Sequence, residues 1–423
     1  MKSVRHRPSP RLLSGPLALV LACTGVQAQE TVEQRLDRIE RENRELRQRF
    51  DSLTATVAAA APPQATAPLP PGFRKAYAVD EGLSLAGYGE MLFTQNSGRT
   101  DVADALRAVL YLGYRFDEKW LFHSEIEVEH GSTSATSGTT ASAGEVSLEF
   151  GYLEHQFDER LSLRTGMVLM PVGLVNEQHE PTMFLPAARS QTETRILPTT
   201  WREIGVEAVA TIGDLDAKWF VGTGLDGEEF DHTGLRAGRQ KGNREAADDI
   251  ATALRLDWHV SSGCVVGGSA VYQKAGQDGV RGAAAIPELD TVIAEGHVDF
   301  RTGPWIARGL YASAFSDDAQ AFATATGRNL AERSYGAYGE LGCDVMTWLG
   351  PDSVAAVIPF VRYEHIDTQA KMSAGIAADA SQSSTILTFG VHWRPTDRIV
   401  FKADFEEWDD SFDRFNLAMG YVF

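Results

Sequence analysis

The chain has 423 residues, a formal net charge of −19, 43% hydrophobic and 23% charged residues. That length accommodates one large domain with an appendage, or two to three ordinary domains, and the acidic balance argues against nucleic acid as a partner. Past the N-terminus no run approaches the roughly 18 consecutive apolar residues of a spanning helix, which excludes a conventional helical membrane protein but not a membrane barrel, whose alternating strands dilute the apolar signal.

The first residues have the layout of an export signal. Lys2, Arg5, Arg7 and Arg11 form a basic stretch, Leu12 to Ala22 a short, mostly apolar core, and Val26-Gln27-Ala28 a small-residue cleavage site. This predicts a signal peptide over residues 1–28 and a mature chain from Gln29. Val20-Leu21-Ala22-Cys23 offers a competing lipoprotein reading in which Leu21 fits awkwardly. Cleavage removes four positive charges and no negative ones, so the net charge of −19 becomes −23, compatible with a surface that holds divalent cations. Of the three cysteines Cys23 leaves with the signal. Cys264 and Cys343 fall on strands three apart, about 14 Å at roughly 4.8 Å per strand, too far for a disulfide, so two free thiols are expected.

Residues 30–57 carry a heptad seam. Leu36, Asn43, Phe50 and Val57 occupy a, and Val32, Ile39, Leu46 and Leu53 occupy d. Arg35 at g faces Glu40 at e′ and Glu42 faces Arg47, which favours parallel, in-register chains. The alternative, a single amphipathic helix lying on its own barrel, calls for a wider apolar stripe. Leu36, Ile39, Asn43, Leu46, Phe50 and Leu53 are therefore the candidate self-association residues; Asn43 specifies register but does not choose between dimer and trimer. Residues 58–79, rich in Ala and Pro from Ala58 to Pro71, read as a semi-rigid linker.

From Leu83 onward a period of two replaces the helical period. Trp120, Phe122, Ile126 and Val128 share one face, and His123, Glu125, Glu127 and Glu129 the other. In a membrane barrel the apolar face looks out at lipid and the polar face lines the lumen. About sixteen such segments follow, near 83–93, 105–116, 120–130, 145–157, 161–170, 200–212, 215–223, 250–260, 264–273, 289–300, 305–316, 334–347, 354–368, 384–395, 399–407 and 413–423. The expected fold class is therefore all-β, a transmembrane antiparallel barrel over residues 80–423 with a short N-terminal coiled coil. The connections alternate between short turns, such as Asp117-Glu118-Lys119 and Gly213-Asp214, and long loops, such as Gly131 to Gly144 and Leu225 to Asp249, as in barrels with periplasmic turns and outer loops. The last segment alternates Phe415, Leu417, Met419, Tyr421 and Phe423 with smaller or polar residues. Its aromatic end on Phe423 is the kind of signal that barrel-assembly machinery recognises, whereas a soluble edge strand normally avoids so long an apolar row.

The connection after the fifth segment differs from the rest. It reads Met170-Pro171-Val172-Gly173, Asn176-Glu177-Gln178-His179-Glu180-Pro181 and Phe184, and closes with Ile196-Leu197-Pro198-Thr199-Thr200-Trp201-Arg202-Glu203-Ile204-Gly205. Together with Ile358-Pro359-Phe360-Val361-Arg362-Tyr363-Glu364 this resembles the trimeric phosphate-selective porin O/P-like family, including members with a periplasmic coiled coil. The resemblance implies a sixteen-stranded homotrimeric porin whose third loop, here 171–199, folds into the lumen and narrows it. Independently, a loop of almost thirty residues is unusual unless functional, and a sixteen-stranded barrel otherwise leaves a wide aqueous channel.

The candidate constriction residues are Glu177, Glu180, Arg189, Glu193 and Arg195 on the loop, with Trp201 at its base and Arg202 and Glu203 opening the sixth strand. Arg202 has the opposite parity to Glu203, so its lumen placement depends on the loop junction. On the wall, Arg107, Arg115, Arg164, Arg255, Arg394 and Lys402 have inward parity, as do Glu125, Glu127, Glu129, Glu207, Asp404 and Glu406; Arg362 joins them from the late family-like strand. Phosphate-selecting relatives use basic lumen residues, but no unbroken basic ladder can be placed here, which leaves phosphate specificity open. Ion preference in pores follows from such charges.

Other chemistries find little support. Asn176 to Glu180 has no standard zinc spacing, and no metal or cofactor is expected. Asp226, Glu228, Glu229 and Asp231 in the fourth long loop suit a solvated outer loop, with calcium or lipopolysaccharide bridging as the alternative. There is no G-x-S-x-G elbow, P-loop or assembled triad. Glu30-Thr31-Val32 faintly resembles the coupling box of energised transporters, but those barrels have 22 strands and a plug. The expected function is passive diffusion of small hydrophilic solutes or ions, anions included, across a bacterial outer membrane, without enzymatic chemistry. The expected partners are outer-membrane lipid and lipopolysaccharide, with the coiled coil in the periplasm. The alternatives are a barrel that chiefly anchors or spaces the envelope through its coiled coil, and a barrel-embedded lipase or protease.

Overall fold

The computed structural model describes residues 81–134, 144–281, 284–409 and 413–423; the expected export signal, heptad segment and linker lie outside the described residues. The strands are β1 (Gly82–Asn96), β2 (Val102–Arg115), β3 (Trp120–Glu129), β4 (Val146–Gln156), β5 (Leu161–Leu169) and β6 (Arg202–Ile212). They continue as β7 (Leu215–Gly222), β8 (Ala251–Ser261), β9 (Cys264–Lys274), β10 (Val280–Arg281), β11 (Ala284–Ala285) and β12 (Asp290–Thr302). The last six are β13 (Trp305–Ser316), β14 (Arg333–Cys343), β15 (Ala356–Lys371), β16 (Ser383–Thr396), β17 (Ile399–Trp408) and β18 (Arg414–Val422). Sixteen of them form one closed antiparallel barrel; β10 and β11 make a separate two-stranded ladder within the connection from β9 to β12.

The barrel closes where β1 meets β18, in a register running from Tyr88 opposite Val422 to Asn96 opposite Arg414. Closure removes the edges whose unpaired N–H and C=O groups would be costly in an apolar medium. The alternation read from the sequence decides which way the sheet curls. On β16, Phe389, Val391 and Trp393 are exposed outside, while Ser384, Thr388 and His392 are buried inside. On β3, Trp120 and Ile126 are exposed and His123, Glu125 and Glu127 are buried. An apolar exterior around a polar interior is the inverse of a soluble sandwich and suits a wall bathed in hydrocarbon.

Local chemistry sets the tight turns. The Asp117 carboxylate accepts from the backbone N–H groups of Lys119 and Trp120, both at 2.8 Å, and folds the β2–β3 turn. Asp158 does the same between β4 and β5, accepting from Arg160 N at 2.7 Å and Leu161 N at 3.0 Å. Such Asx turns replace a ladder bond with a side-chain bond. The period of two is interrupted once on β4: Glu125 pairs with Phe150 and Ile126 with Leu148, so Glu149 is a bulge. Beyond it Phe150, Tyr152 and Glu154 face in while Leu153 faces out.

The sixteen segments expected from alternation coincide with the sixteen barrel strands, their ends shifted by a few residues. The short–long alternation has three exceptions, one of them the β17–β18 connection, which spans only residues 409–413. The β1–β2 loop is only Ser97–Asp101, and the turn-side connection from β14 to β15 spans Asp344–Ala355 with a helical turn at Met346–Leu349. The β13–β14 loop also holds a helix, Ala319–Thr326, that the strand count did not anticipate. Cys264 and Cys343 are both free, as expected from the three strand steps between β9 and β14.

Orientation of the wall has a direct consequence. Phe389→Arg, in the middle of the outward row of β16, should lower barrel stability in lipid vesicles by about 2–4 kcal/mol in urea titrations. An unchanged midpoint would contradict a lipid-facing position.

Candidate pore constriction

The connection from Met170 to Trp201, here loop 3, does not extend away from the barrel. It runs through the lumen and is tied to wall strands on several sides. Its base is closed by Asn176, which is fully buried. The Asn176 amide donates to Met170 O at 2.7 Å and Trp201 O at 2.9 Å, and its oxygen accepts from Trp201 N at 2.7 Å. The Trp201 indole is fully buried and donates to Glu203 Oε1 at 2.6 Å. Met170, Val172, Ile196, Leu197 and Trp201 join an apolar cluster inside the barrel with the wall residues Tyr111, Phe150, Phe220, Leu310 and Tyr338.

From this base the loop passes along the wall strand by strand. Glu177 Oε1 lies 2.5 Å from Lys218 Nζ on β7, and Arg255 on β8 donates to Gly173 O. His179 Nε2 is 3.2 Å from Glu125 Oε1 on β3, and Tyr111 of β2 donates to Glu180 Oε1 at 3.2 Å. Leu185 O lies 3.2 Å from His392 Nδ1 on β16. On β17, Lys402 Nζ donates to Pro186 O at 2.8 Å with its ammonium 3.6 Å from the Phe184 ring centroid, and Asp404 Oδ2 accepts from Ala187 N at 2.5 Å. On β15, Arg362 donates to Ala188 O at 3.2 Å and Glu364 accepts from Thr192 N at 2.5 Å. A π-helical turn, Thr192–Ile196, then returns the chain towards β6.

Two wall glycines permit this approach. A Cβ at Gly336 on β14 would lie 2.6 Å from Thr192 Oγ1, and one at Gly420 on β18 would lie 2.6 Å from Pro181. Any larger residue there displaces the loop.

The candidate residues divide into anchors and wall groups with water access. Glu180 and Glu193, expected to line water, are fully buried. Glu193 accepts from Leu174 N at 3.0 Å, Val175 N at 2.6 Å and Tyr338 Oη at 2.6 Å, so it staples the two limbs of the loop to β14. Arg202 and Glu203 are buried as well, Arg202 against Glu149 at 3.0 Å and Glu203 against Trp201. Arg195 reaches Gln382 at 2.8 Å. Arg189 is half-buried, and its Nε and Nη2 have no hydrogen-bond partner among the described residues. Burial, then the neighbouring Arg107, lowers its pKa.

The wall arginines keep some water contact but are largely neutralised. Arg107 pairs with Glu90 at 3.2 Å and Glu127 at 3.6 Å; Arg164 with Glu154 at 3.2 Å and Glu207 at 2.9 Å; Arg255 with Asp257 at 2.7 Å. Arg394 lies at a small cavity beside Arg301, Arg308 and His392, where Arg308 pairs with Asp299 at 3.0 Å. The resulting lining is a mosaic of ion pairs. Sequence reasoning missed Lys218, Asp257, Asp299, His297 and Tyr338. Inward parity on β7, β8, β12 and β14 was a usable signal for all five; the loop-3 partners of Lys218 and Tyr338, and the cross-strand partners of the other three, were not visible.

No family model matches the chain. It is 28% identical over 373 residues, 84% of this chain and 83% of its relative, to an uncharacterized protein of Aquifex aeolicus (strain VF5). Among solved structures, the trimer form of the outer membrane protein OmpT of Vibrio cholerae matches with a TM-score of 0.52 at 9% identity, over 82% of this chain and all of that one. Salmonella typhi OmpF in complex with daunomycin matches with a TM-score of 0.52 at 12% identity, over 81% of this chain and 98% of that one. The fold is thus a porin-like, closed sixteen-stranded barrel.

His179 makes loop 3 sensitive to pH. Its Nδ1 faces Asn176 O at 2.9 Å and its Nε2 faces Glu125, so both ring nitrogens meet acceptors and the imidazolium suits the site. Burial disfavours the charge, but the Glu125 carboxylate and the Asn176 carbonyl together leave the pKa raised. A raised folded pKa means this anchoring is complete below the ordinary histidine value and is lost as pH rises through the folded one. Fluctuations of loop 3, read as proteolytic susceptibility of the 176–195 segment, should therefore increase as pH rises past the ordinary histidine value and through the raised folded one. His179→Gln should flatten that dependence; a pH-independent wild type would refute it. Gly336→Val should displace the π-turn and lower stability by about 1–3 kcal/mol in denaturant titrations, as overpacking does.

Proposed function

We propose that the chain is a bacterial outer-membrane porin that lets small hydrophilic solutes and ions diffuse passively through a lumen narrowed by loop 3. The observation that carries this reading is the path of loop 3, which crosses the interior of a closed sixteen-stranded barrel and is tied to β2, β3, β7, β8, β14, β15, β16 and β17 by hydrogen bonds and ion pairs. A barrel of that strand number has room for an aqueous path, and a loop inside it sets the calibre. The apolar exterior supports insertion in lipid, and the interior is polar.

The family resemblance of the loop-3 residues and the export signal support an outer-membrane location. The heptad seam, with Leu36, Ile39, Asn43, Leu46, Phe50 and Leu53, supports self-association with the helix in the periplasm, and the family resemblance supports a homotrimer. The ion-pair mosaic of the wall supports weak, mixed selectivity, since Arg107, Arg164 and Arg255 each face a carboxylate. No step of covalent chemistry enters this reading.

Purified protein in planar bilayers should give stepwise conductance in groups of three. Absence of conductance from folded, heat-modifiable protein would refute the porin reading and favour an envelope anchor. Reversal potentials in a salt gradient should shift towards anions for Glu177→Gln, which removes the carboxylate partner of Lys218 and leaves Arg255 paired only with Asp257.

A further inference from the structure

Loop 3 is overlain by a second ordered segment. The connection from β7 to β8, Thr223 to Ile250, folds back instead of extending outward. Leu225 and Phe230 are fully buried and Leu235 nearly so, all in the same apolar cluster as Ile196, Leu197 and Trp201 of loop 3. The segment is closed on itself by Asp226 N donating to Gly238 O at 2.8 Å, and Gly238 lies so near the Phe230 ring that a Cβ would come within 2.5 Å of it. Its far end meets the opposite wall: Gln369 of β15 donates to His232 O at 3.0 Å. In the barrel order β15 lies six strands from β7, so this segment bridges most of the opening.

Two of its three arginines, Arg236 and Arg239, point at backbone carbonyls of loop 3. The π-turn ends at Ile196 and is followed by an irregular run to Trp201, whose carbonyls lack helical partners. Arg236 Nη1 donates to Thr194 O at 2.9 Å and also to Thr199 O. Arg239 Nη1 donates to Thr199 O at 3.2 Å and Thr200 O at 3.0 Å, and its Nε to Arg236 O at 3.3 Å. Neither guanidinium forms an ion pair among the described residues, so these carbonyls are the partners that compensate its burial. Two cations gathered on the C-terminal end of a helical turn, in the direction its dipole favours, are well placed to hold it.

We propose that Arg236 and Arg239 are positioning residues that clamp the returning limb of loop 3, so that the β7–β8 segment, and not loop 3 alone, sets the calibre and steadiness of the constriction. The clamp acts on carbonyl oxygens and leaves the wall ladders untouched. This part of the inference rests on the barrel being a diffusion pore; the clamp itself does not.

The test compares Arg236→Ala, Arg239→Ala and the double variant with Lys241→Ala, a charge removal on the same segment whose ammonium pairs with Glu145 at 2.8 Å and does not touch loop 3. Amide hydrogen exchange over 192–200 should rise about tenfold or more in the double variant, while amides of β14 and β15 keep their protection. Open-channel noise and mean conductance should rise together, and Arg236→Lys should restore part of the quiet state. Unchanged exchange in a folded double variant overturns the clamp, as does an equal effect from Lys241→Ala, which would indicate a general change of charge. Should the double variant fail to fold, the two single variants carry the same comparison. If wild type shows no conductance, the porin reading fails while hydrogen exchange still decides the clamp.

Discussion

Closure of the sheet through the antiparallel pairing of β1 with β18 is the constraint from which the other features follow. An open sheet in an apolar medium leaves two rows of backbone N–H and C=O groups without partners, each costing several kcal/mol. Once the ends are joined, the twofold alternation has only two sides to use. The outward side carries Phe, Val, Trp and Leu; the inward side carries carboxylates, guanidinium groups and hydroxyls. Inside such a wall a chain segment finds hydrogen-bond partners all the way round, which a long loop on a soluble surface does not.

Loop 3 exploits that environment. Ordering a chain costs about 1–2 kcal/mol per residue in backbone entropy, so a few polar contacts would not hold thirty residues in place. The structure supplies two other contributions. One is the apolar cluster of Met170, Val172, Ile196, Leu197 and Trp201 against inward aromatic residues of the wall. The other is a set of charge-assisted bonds, each worth about 1.5–3 kcal/mol, from Glu193, Asp404, Glu364, Arg362 and Lys402 to backbone atoms of the loop or of its neighbours. Acidic and basic side chains that look like a selectivity filter in the sequence are thus divided between two tasks. Glu180, Glu193, Arg202 and Glu203 hold the loop and its junction, whereas Arg107, Arg164, Glu177, Lys218 and Arg255 keep contact with the lumen.

The strand pattern was legible because it is local. Strand β16 alternates Phe389, Val391 and Trp393 with Thr388, Gly390 and His392, and no knowledge of its neighbours is needed to assign its faces. The bulge at Glu149 shows where that reading ends: one extra residue exchanges inside for outside, and only the pairing of Glu125 with Phe150 and Ile126 with Leu148 reveals it. The helix at Ala319–Thr326 and the turn at Met346–Leu349 were hidden because runs this short carry too little periodicity to separate from loop.

By itself the sequence determined the strand number, the inward and outward faces, the turns set by Asp117 and Asp158, and the unusual length and composition of the connection after β5. All of these depend on residues within a few positions of one another. The tertiary structure alone decided which charges are buried as anchors, which remain wet, and that the β7–β8 segment lies over loop 3 with Arg236 and Arg239 on its carbonyls. Many of those outcomes pair residues far apart in the chain, as in Arg239 with Thr200, 39 positions away, or Lys402 with Pro186, 216 away. Side-chain charge depends on residue type, but its use depends on the partner and the water that the closed barrel leaves beside it.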